Sequence, residues 1–149
     1  MRPTELNSFT SIRLLRRQTW LVGVLILLFS SNAFAETDFP AFWKKFKAAV
    51  ASGDKAAAAE MTKFPLSMYQ SHIKNRAEFL RRYGEVFNGE ANAAQCFGTA
   101  EPQKESARSY AVYCPFKATP NDHENSPIRF IFELTRNGWK FAGLDNINE

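Results

Sequence analysis

The sequence predicts an α+β domain in which N-terminal helices pack on one face of an antiparallel sheet. Three patterns predict this fold class. Apolar residues recur at helical spacing between residues 39 and 87, apolar and polar residues alternate from Ile128 to Leu134, and the hairpin signal Asn137-Gly138 follows. Helices gathered at one end of a chain and strands at the other are typical of α+β folds.

The first 35 residues are predicted to be a secretory signal peptide that is cleaved after Ala35. Basic residues precede an uncharged ten-residue run, Trp20 to Phe29, and Ala33 and Ala35 occupy the −3 and −1 positions. That run is shorter than the roughly 18 apolar residues of a membrane anchor. Residues 36–149 are therefore expected to form one domain in the bacterial periplasm or outside the cell, without a stable membrane anchor.

The net charge of +4 does not indicate a nucleic-acid partner. The predicted signal peptide, with four Arg and one Glu, carries +3 of this charge, so the mature chain is nearly neutral. Its bases are interspersed with acids, as in Lys104-Glu105, and export separates it from most nucleic acid. Hydrophobic residues make up 45% of the sequence and aromatic residues 14%, which fits a folded domain rather than a disordered chain.

The first helix of the mature chain is predicted to begin near residue 39. Asp38 or Thr37 caps its start, Pro40 suits its first turn, and Gly53 ends it. One side of this helix collects apolar side chains, namely Phe39, Phe42, Trp43, Phe46, Ala49 and Val50. This side is expected to pack on the sheet.

Two more helices are predicted before residue 90. An Ala-rich second helix runs from Asp54 to about Lys63. Pro65 favours extended backbone at the preceding residue, Phe64, and so ends the helical pattern. The third helix runs to Phe87 and starts with a capping box formed by Asn75 and Glu78. The expected buried side chains are Ala57, Ala58 and Met61 in the second helix and Phe79, Leu80, Tyr83 and Phe87 in the third.

Cys96 and Cys114 are predicted to form a disulfide. An exported protein meets an oxidising environment, where an even number of cysteines indicates a bond. Residues 92–100 and 108–116 are expected to be the arms of a hairpin around a polar turn, which places the cysteines opposite each other. No Cys-x-x-Cys and no third ligand accompany them, so no metal site is predicted.

The last hairpin is expected to gather aromatic side chains on one face. A two-residue turn at Asn137-Gly138 pairs Leu134 with Phe141, Phe132 with Gly143 and Phe130 with Asp145. The shared face then holds Ile128, Phe130, Phe132, Leu134, Trp139 and Phe141. In this register Asp145 lies on the aromatic face.

Several segments of the mature chain carry a family resemblance. They are Phe42-Trp43-Lys44-Lys45-Phe46, residues 49–55, Phe64-Pro65-Leu66, Glu78-Phe79-Leu80 with Tyr83, and Gly138-Trp139-Lys140-Phe141. Together they resemble the small exported members of the nuclear transport factor 2-like (cystatin-like) superfamily. The resemblance implies a cone-shaped domain, in which a curved antiparallel sheet wraps the first helix and leaves a cavity at its open end. Because this superfamily contains enzymes, transport adaptors and domains of no assigned activity, the resemblance does not select a function.

The leading functional hypothesis is a non-enzymatic exported domain that binds a small apolar ligand or a protein partner through its cavity or sheet face. The candidate ligand-binding residues are Tyr110, Phe130, Phe132, Trp139 and Phe141. No cofactor is expected, since the chain has no phosphate-cradling glycine loop and no dinucleotide motif. Self-association into a homodimer through the sheet, which is common in the superfamily, is a further hypothesis.

The alternative hypothesis is an isomerase- or cyclase-type enzyme. Such an enzyme needs an acid or base inside the cavity, beside a donor that stabilises a developing oxyanion. The resemblance implies an aspartate and a tyrosine for these roles, as in ketosteroid isomerase-like members, and Asp145 is the first candidate acid. His72 as a base and Tyr69 as a donor form a second pair of candidates. This catalytic set is incomplete, which favours the non-enzymatic hypothesis.

Overall fold

The computed structural model describes residues 38–122 and 124–148, so the predicted signal peptide and its cleavage after Ala35 lie outside the described residues. Helices and a six-stranded sheet confirm the α+β prediction. The elements are α1 (Phe39–Ser52), α2 (Lys55–Glu60), β1 (Thr62–Met68), β2 (Ser71–Ile73), α3 (Arg76–Asn88), α4 (Ala93–Thr99), β3 (Gln103–Ser106), β4 (Ser109–Cys114), β5 (Ile128–Thr135) and β6 (Gly138–Asn146). Among the described helices, none is long and apolar enough to cross a membrane.

Helix α1 begins and ends where its capping residues predict. The Asp38 carboxylate accepts a hydrogen bond from the Ala41 N–H at 3.3 Å. Gly53, at φ 69°, donates its N–H to the carbonyls of Ala49 and Val50. Such a positive φ is costly for a residue with a Cβ, which is why glycine ends this helix. All six predicted apolar side chains of α1 are buried.

Helix α2 is shorter than predicted, because the chain joins the sheet earlier. It ends at Glu60, and Thr62–Met68 forms β1. The Phe141 N–H donates to the Met61 carbonyl at 2.9 Å, so sheet pairing overrides the helical pattern at this point. Of the three predicted buried residues, Ala58 is buried, as is Ala59, whereas Ala57 and Met61 are only partly buried.

Helix α3 confirms the predicted third helix. Asn75 Oδ1 accepts the Glu78 N–H at 3.0 Å, and Glu78 Oε2 accepts the Lys74 N–H at 2.9 Å. The two side chains therefore satisfy backbone donors at the same helix end. The buried residues of α3 are Phe79, Tyr83, Val86 and Phe87, whereas Leu80 is only partly buried.

Residues 93–99 form helix α4, although the sequence predicts a hairpin arm there. The Asn92 side chain caps the helix by accepting the Gln95 N–H at 3.2 Å. Phe97 packs into the core, with ring centroids 4.9 Å from Trp43 and 5.0 Å from Phe130. The prediction of a strand is wrong because this packing favours a helix, and the hairpin that does form consists of β3 and β4.

The Cys96–Cys114 disulfide is present and ties helix α4 to strand β4. The two Cα atoms lie 5.8 Å apart, and the cysteines are separated by 18 residues in the sequence. The predicted bond is confirmed, but it joins a helix to a strand rather than two arms of a hairpin. A disulfide is consistent with an oxidising compartment.

The sheet is mixed and open, with the strand order β2-β1-β6-β5-β4-β3. Strands β1 and β6 are parallel, and the other neighbouring pairs are antiparallel. The prediction of a purely antiparallel sheet is wrong at that one pair, because the last strand is inserted beside β1 in the interior of the sheet.

The turn before β6 lies one residue earlier than predicted. Thr135 pairs with Gly138, so Arg136 and Asn137 occupy the turn. Gly138 has φ 86°, a conformation that suits glycine.

Strand β6 also contains a bulge that shifts its register against β5. Ile131 pairs with Gly143 while the next residue of β5 pairs with Phe141, so Ala142 is the extra residue. Beyond the bulge, Arg129 pairs with Asp145. The predicted pairing of Phe130 with Asp145 is therefore wrong, and these two side chains lie on opposite faces of the sheet.

Candidate functional site

The aromatic face of β5 and β6 packs against the helices. Phe130, Phe132 and Phe141 are fully buried. The ring of Phe46 in α1 lies 5.2 Å from Phe132 and 5.4 Å from Phe141 between centroids. Phe97 of α4 contacts Phe130 in the same way. The helices therefore contribute rings of their own to this part of the interior.

Tyr110 and Trp139 lie at the end of the same cluster. Tyr110 stacks on Phe39, with centroids 3.8 Å apart and planes 2° from parallel. Trp139 meets both rings edge-on, at 5.4 Å from Tyr110 and 5.0 Å from Phe39. The structure thus brings the five predicted ligand-binding residues together, and the first turn of α1 covers this end of their face.

Asp145 lies on the outer face of the sheet, in a bidentate ion pair with Arg129. The Arg129 Nε and Nη2 atoms lie 3.0 Å and 2.6 Å from the two carboxylate oxygens. Arg129 Nη1 also lies 3.3 Å from Glu105, and the Tyr113 hydroxyl donates to the same Glu105 oxygen at 2.9 Å. Asp145 therefore belongs to a polar network and does not face the aromatic interior.

The electrostatics of this network favour its ion pairs. The hydrogen bond to Asp145 is the main cause that raises the pKa of Arg129. Burial, and then the hydrogen bond to Glu105, raises the pKa of Tyr113. Arg129 is therefore charged and Tyr113 is protonated at neutral pH. The four residues come from β3, β4, β5 and β6, so the network braces four strands.

Tyr69 and His72 are not brought together in a pocket. Tyr69 occupies the turn between β1 and β2 at φ 50°, and its side chain packs against the core. His72 is exposed on the edge strand β2, where its neighbour Ile73 is fully buried. Because successive side chains of a strand point to opposite faces, His72 points away from the core.

A concave site lies between helix α4 and the segment that follows strand β4; we call it the α4 cleft. Its volume is about 310 Å³. Its polar lining consists of Asn92, Gln95, Thr99, Tyr113, Lys117 and Asn121. Its apolar lining consists of Cys96, Ala100, Pro115, Phe116 and Pro120. The disulfide therefore forms part of the cleft wall.

Hydrogen bonds hold the segment after β4 in place. The Lys117 N–H donates to the Glu90 carbonyl at 2.6 Å, and the Lys117 ammonium donates to the Asn88 carbonyl at 3.3 Å. The Thr119 N–H donates to the Phe116 carbonyl at 2.9 Å, which closes a turn. These contacts fix one wall of the cleft against the end of α3.

A second, more open cleft adjoins the first and shares Ala100 and Tyr113 with it. Its volume is about 490 Å³. Its remaining lining residues are Glu101, Gln103, Glu124, Asn125, Ser126, Pro127, Ile147 and Asn148. Within the described ranges, no group of three or more metal-ligating side chains is close enough to hold a metal ion.

The α4 cleft was not predicted, because residues 92–100 were expected to form a strand rather than a helix. A signal for a helix was present, since Asn92 is a good N-cap and an Ala-rich segment follows it. The turn-rich segment Thr119-Pro120-Asn121-Asp122 also indicated a loop. The disulfide ties α4 to the end of β4, from which the chain continues into this loop.

No family model matches the chain, and no curated protein matches it. Among solved structures, an NTF-2 like protein of unknown function from Shewanella oneidensis is 15% identical, with a TM-score of 0.42 over 71% of this chain and 93% of that one. A domain of unknown function with a cystatin-like fold from Nostoc punctiforme is 15% identical, with a TM-score of 0.38 over 73% and 74%. A ketosteroid isomerase-like protein from Erwinia carotovora is 15% identical, with a TM-score of 0.41 over 71% and 89%. The chain is thus similar to solved proteins described as NTF2-like and cystatin-like, at a level that carries no information on activity.

Proposed function

We propose that the domain is a binding module that holds a small ligand in the α4 cleft. The observation that carries this proposal is the position of the α4 cleft relative to the aromatic face. Helix side chains pack over the predicted aromatic face, while a site of about 310 Å³ lies beside the disulfide. Small-molecule sites commonly have volumes of roughly 300 to 1,000 Å³, so this cleft suits a small ligand.

The construction of the cleft supports binding. The disulfide fixes α4 to β4, and the hydrogen bond from the Lys117 N–H to the Glu90 carbonyl fixes the opposite wall. A preorganised site loses less conformational entropy when a ligand binds than a site that must be ordered first. These contacts preorganise the walls of the cleft.

The lining changes the expected chemistry of the ligand. Six of the eleven lining residues carry polar side chains, and the apolar ones include Phe116 and two prolines. Ligand sites typically combine apolar walls with a few polar groups that fix orientation. We therefore propose a ligand with an apolar body and at least one hydrogen-bonding group, rather than a wholly apolar molecule.

NMR fragment screening of the mature, disulfide-bonded protein tests this proposal. Fragments that bind should shift the amide signals of residues 92–100 and 113–121. Thr99→Trp places an indole at the cleft and should weaken these hits at least about tenfold. Ala94→Trp adds the same ring to an exposed position of α4 outside the cleft lining, and should change affinity less than about twofold. Hits that cluster elsewhere, or that survive Thr99→Trp, would contradict the proposal.

We propose that binding takes place after export, with residues 36–149 as the mature chain. The disulfide supports an oxidising compartment. Mass spectrometry of the protein from the periplasmic fraction should give the mass of a chain that begins at Glu36. A chain that keeps residues 1–35 and stays with the membrane fraction would contradict export and cleavage.

Two other hypotheses differ in their support. Self-association through the sheet stays a prediction, and a monomeric elution volume of the mature chain in size-exclusion chromatography would contradict it. An isomerase- or cyclase-type activity lacks such support, because neither the α4 cleft nor the second cleft is lined by its candidates Tyr69, His72 or Asp145.

A further inference from the structure

We infer that the ligand of the α4 cleft carries a negatively charged group, such as a carboxylate, and that Lys117 binds this group. The inference rests on the proposed function and adds the chemical class of the ligand. It also assigns the ligand an orientation, with the anion at Lys117 and the apolar body against Phe116 and Pro120.

The first support is the charge of the lining. Lys117 is the one formally charged residue that lines the α4 cleft, and no carboxylate lines it. The other polar groups are three amides, a threonine hydroxyl and a tyrosine hydroxyl. Amide and hydroxyl groups can donate hydrogen bonds to an anion, so they complement the ammonium.

The second support is the placement of the Lys117 side chain. Its ammonium donates to the Asn88 carbonyl at 3.3 Å, which orients the chain and leaves two of its three N–H donors. Within the described part of the chain it forms no ion pair, in contrast to Lys63, whose ammonium lies 2.8 Å from Glu133. The Lys117 ammonium is therefore oriented by a hydrogen bond, and no carboxylate of the described residues lies within ion-pair distance of it.

The side-chain amide of Gln95, which also lines the α4 cleft, can donate a hydrogen bond to an anion. Gln95 Oε1 accepts a hydrogen bond from Asn92 Nδ2 at 3.4 Å. This contact engages the oxygen of the Gln95 amide and leaves its NH2 group as the donating end. Gln95 and Lys117 both line the α4 cleft, so each is a potential donor to an anionic group bound there.

The second cleft makes the orientation selective. It shares Tyr113 with the α4 cleft but contains Glu101 and Glu124 and no basic residue. Like charges repel, so an anionic group is disfavoured on that side of Tyr113. Because the α4 cleft carries the positive charge of Lys117 and the second cleft carries negative charges, the negative end of a ligand is favoured on the Lys117 side of Tyr113.

Three probes of similar shape test the inference on the mature, disulfide-bonded protein. Benzoate is anionic, benzamide is neutral and benzylammonium is cationic, and each is titrated while the amide signals of residues 92–100 and 113–121 are followed by NMR. Benzoate should bind at least about fivefold more tightly than benzamide. Lys117→Gln should remove this preference, so that benzoate and benzamide bind with affinities within about twofold of each other, while Lys117→Arg should keep the preference.

The control separates a local charge from the net charge of the protein. Lys104→Gln removes one exposed positive charge from β3 and should leave the benzoate preference unchanged. If benzoate and benzamide bind the cleft equally, or if benzylammonium binds it as tightly as benzoate, the inferred ligand class is wrong and the binding function stands. If no probe shifts the cleft signals up to about 20 mM, both the inference and the proposed function are overturned.

Discussion

Two tyrosines should respond in opposite ways to the loss of their hydroxyl groups. Tyr83 in α3 is 7% exposed, and among the described residues its hydroxyl has no hydrogen-bond partner. The Tyr113 hydroxyl donates to Glu105 at 2.9 Å in the partly exposed network on the outer face. Tyr83→Phe and Tyr113→Phe therefore remove the same atom from opposite environments.

The size of each effect follows from these environments. A buried polar group without a partner costs about 1 to 3 kcal/mol, whereas a hydrogen bond contributes about 1 kcal/mol. Phenylalanine at position 83 would keep the ring contacts with Phe79 and Phe87, whose centroids lie 5.9 Å and 4.8 Å away. We expect Tyr83→Phe to raise the free energy of unfolding by about 1 kcal/mol and Tyr113→Phe to lower it by about as much.

High pH provides a second measure of the same groups. Burial, and then the charge of Asp54, raises the pKa of Tyr83, and burial with the Glu105 hydrogen bond raises that of Tyr113. Each folded-state pKa thus exceeds the unfolded value of about 10. Ionisation of either hydroxyl therefore costs the folded state more than the unfolded state, and stability falls as the pH rises from the unfolded pKa through the folded one. Either Phe variant should therefore lose less stability than the wild type at alkaline pH.

Urea unfolding at pH 7, followed by tryptophan fluorescence, measures both variants against the wild type. Near-UV circular dichroism provides the control that each variant keeps the native packing. If Tyr83→Phe lowered the free energy of unfolding by more than about 0.5 kcal/mol, its hydroxyl would have a partner in the folded state. That result would refute the reasoning.

Three further predictions concern stability. Replacing both Cys96 and Cys114 by Ala should lower the free energy of unfolding by about 3 kcal/mol, since the disulfide joins residues 18 apart in the sequence. In urea unfolding each single Ala variant should lose nearly as much stability as the double variant. Additive losses would contradict the disulfide. Asp145→Asn should cost about 1 kcal/mol by the same assay and leave fragment binding in the α4 cleft unchanged. The hydrogen bond from Arg82 lowers the pKa of Glu85. The ionised Glu85 carboxylate therefore stabilises the fold above the unfolded pKa of 4.5, and this contribution is lost as the pH falls through the lower folded value. In thermal unfolding, the stability of Arg82→Gln should fall less with acid than that of the wild type.

Local signals in the sequence predicted the first and third helices well. Asp38, Gly53 and Asn75 act through atoms within a few residues of themselves, so their effect is readable without knowledge of the rest of the fold. The end of α2 was not readable in this way. It depends on the pairing of β1 with β6, which lies about 80 residues further along the chain.

The cysteine pair shows how a correct contact can suggest a wrong element. Two cysteines placed symmetrically about residue 105 fit a hairpin, and they fit a helix packed over a strand equally well. In the structure residues 93–99 are a helix, and from it the Phe97 ring contacts Trp43 and Phe130. The candidate cleft depends on that helix, so its position was not predictable from the spacing of the cysteines.

The bulge in β6 decides which face of the sheet Asp145 occupies. Trp139 and Phe141 point inward two residues apart, but the next inward apolar residue is Leu144, three residues on. This step from two to three is the one sign of the bulge in the sequence, and strict alternation overlooks it. Because Leu144 fills the interior, the following residue, Asp145, must point outward to Arg129. One extra residue therefore moves the carboxylate from the aromatic interior to the outer face, where it pairs with Arg129.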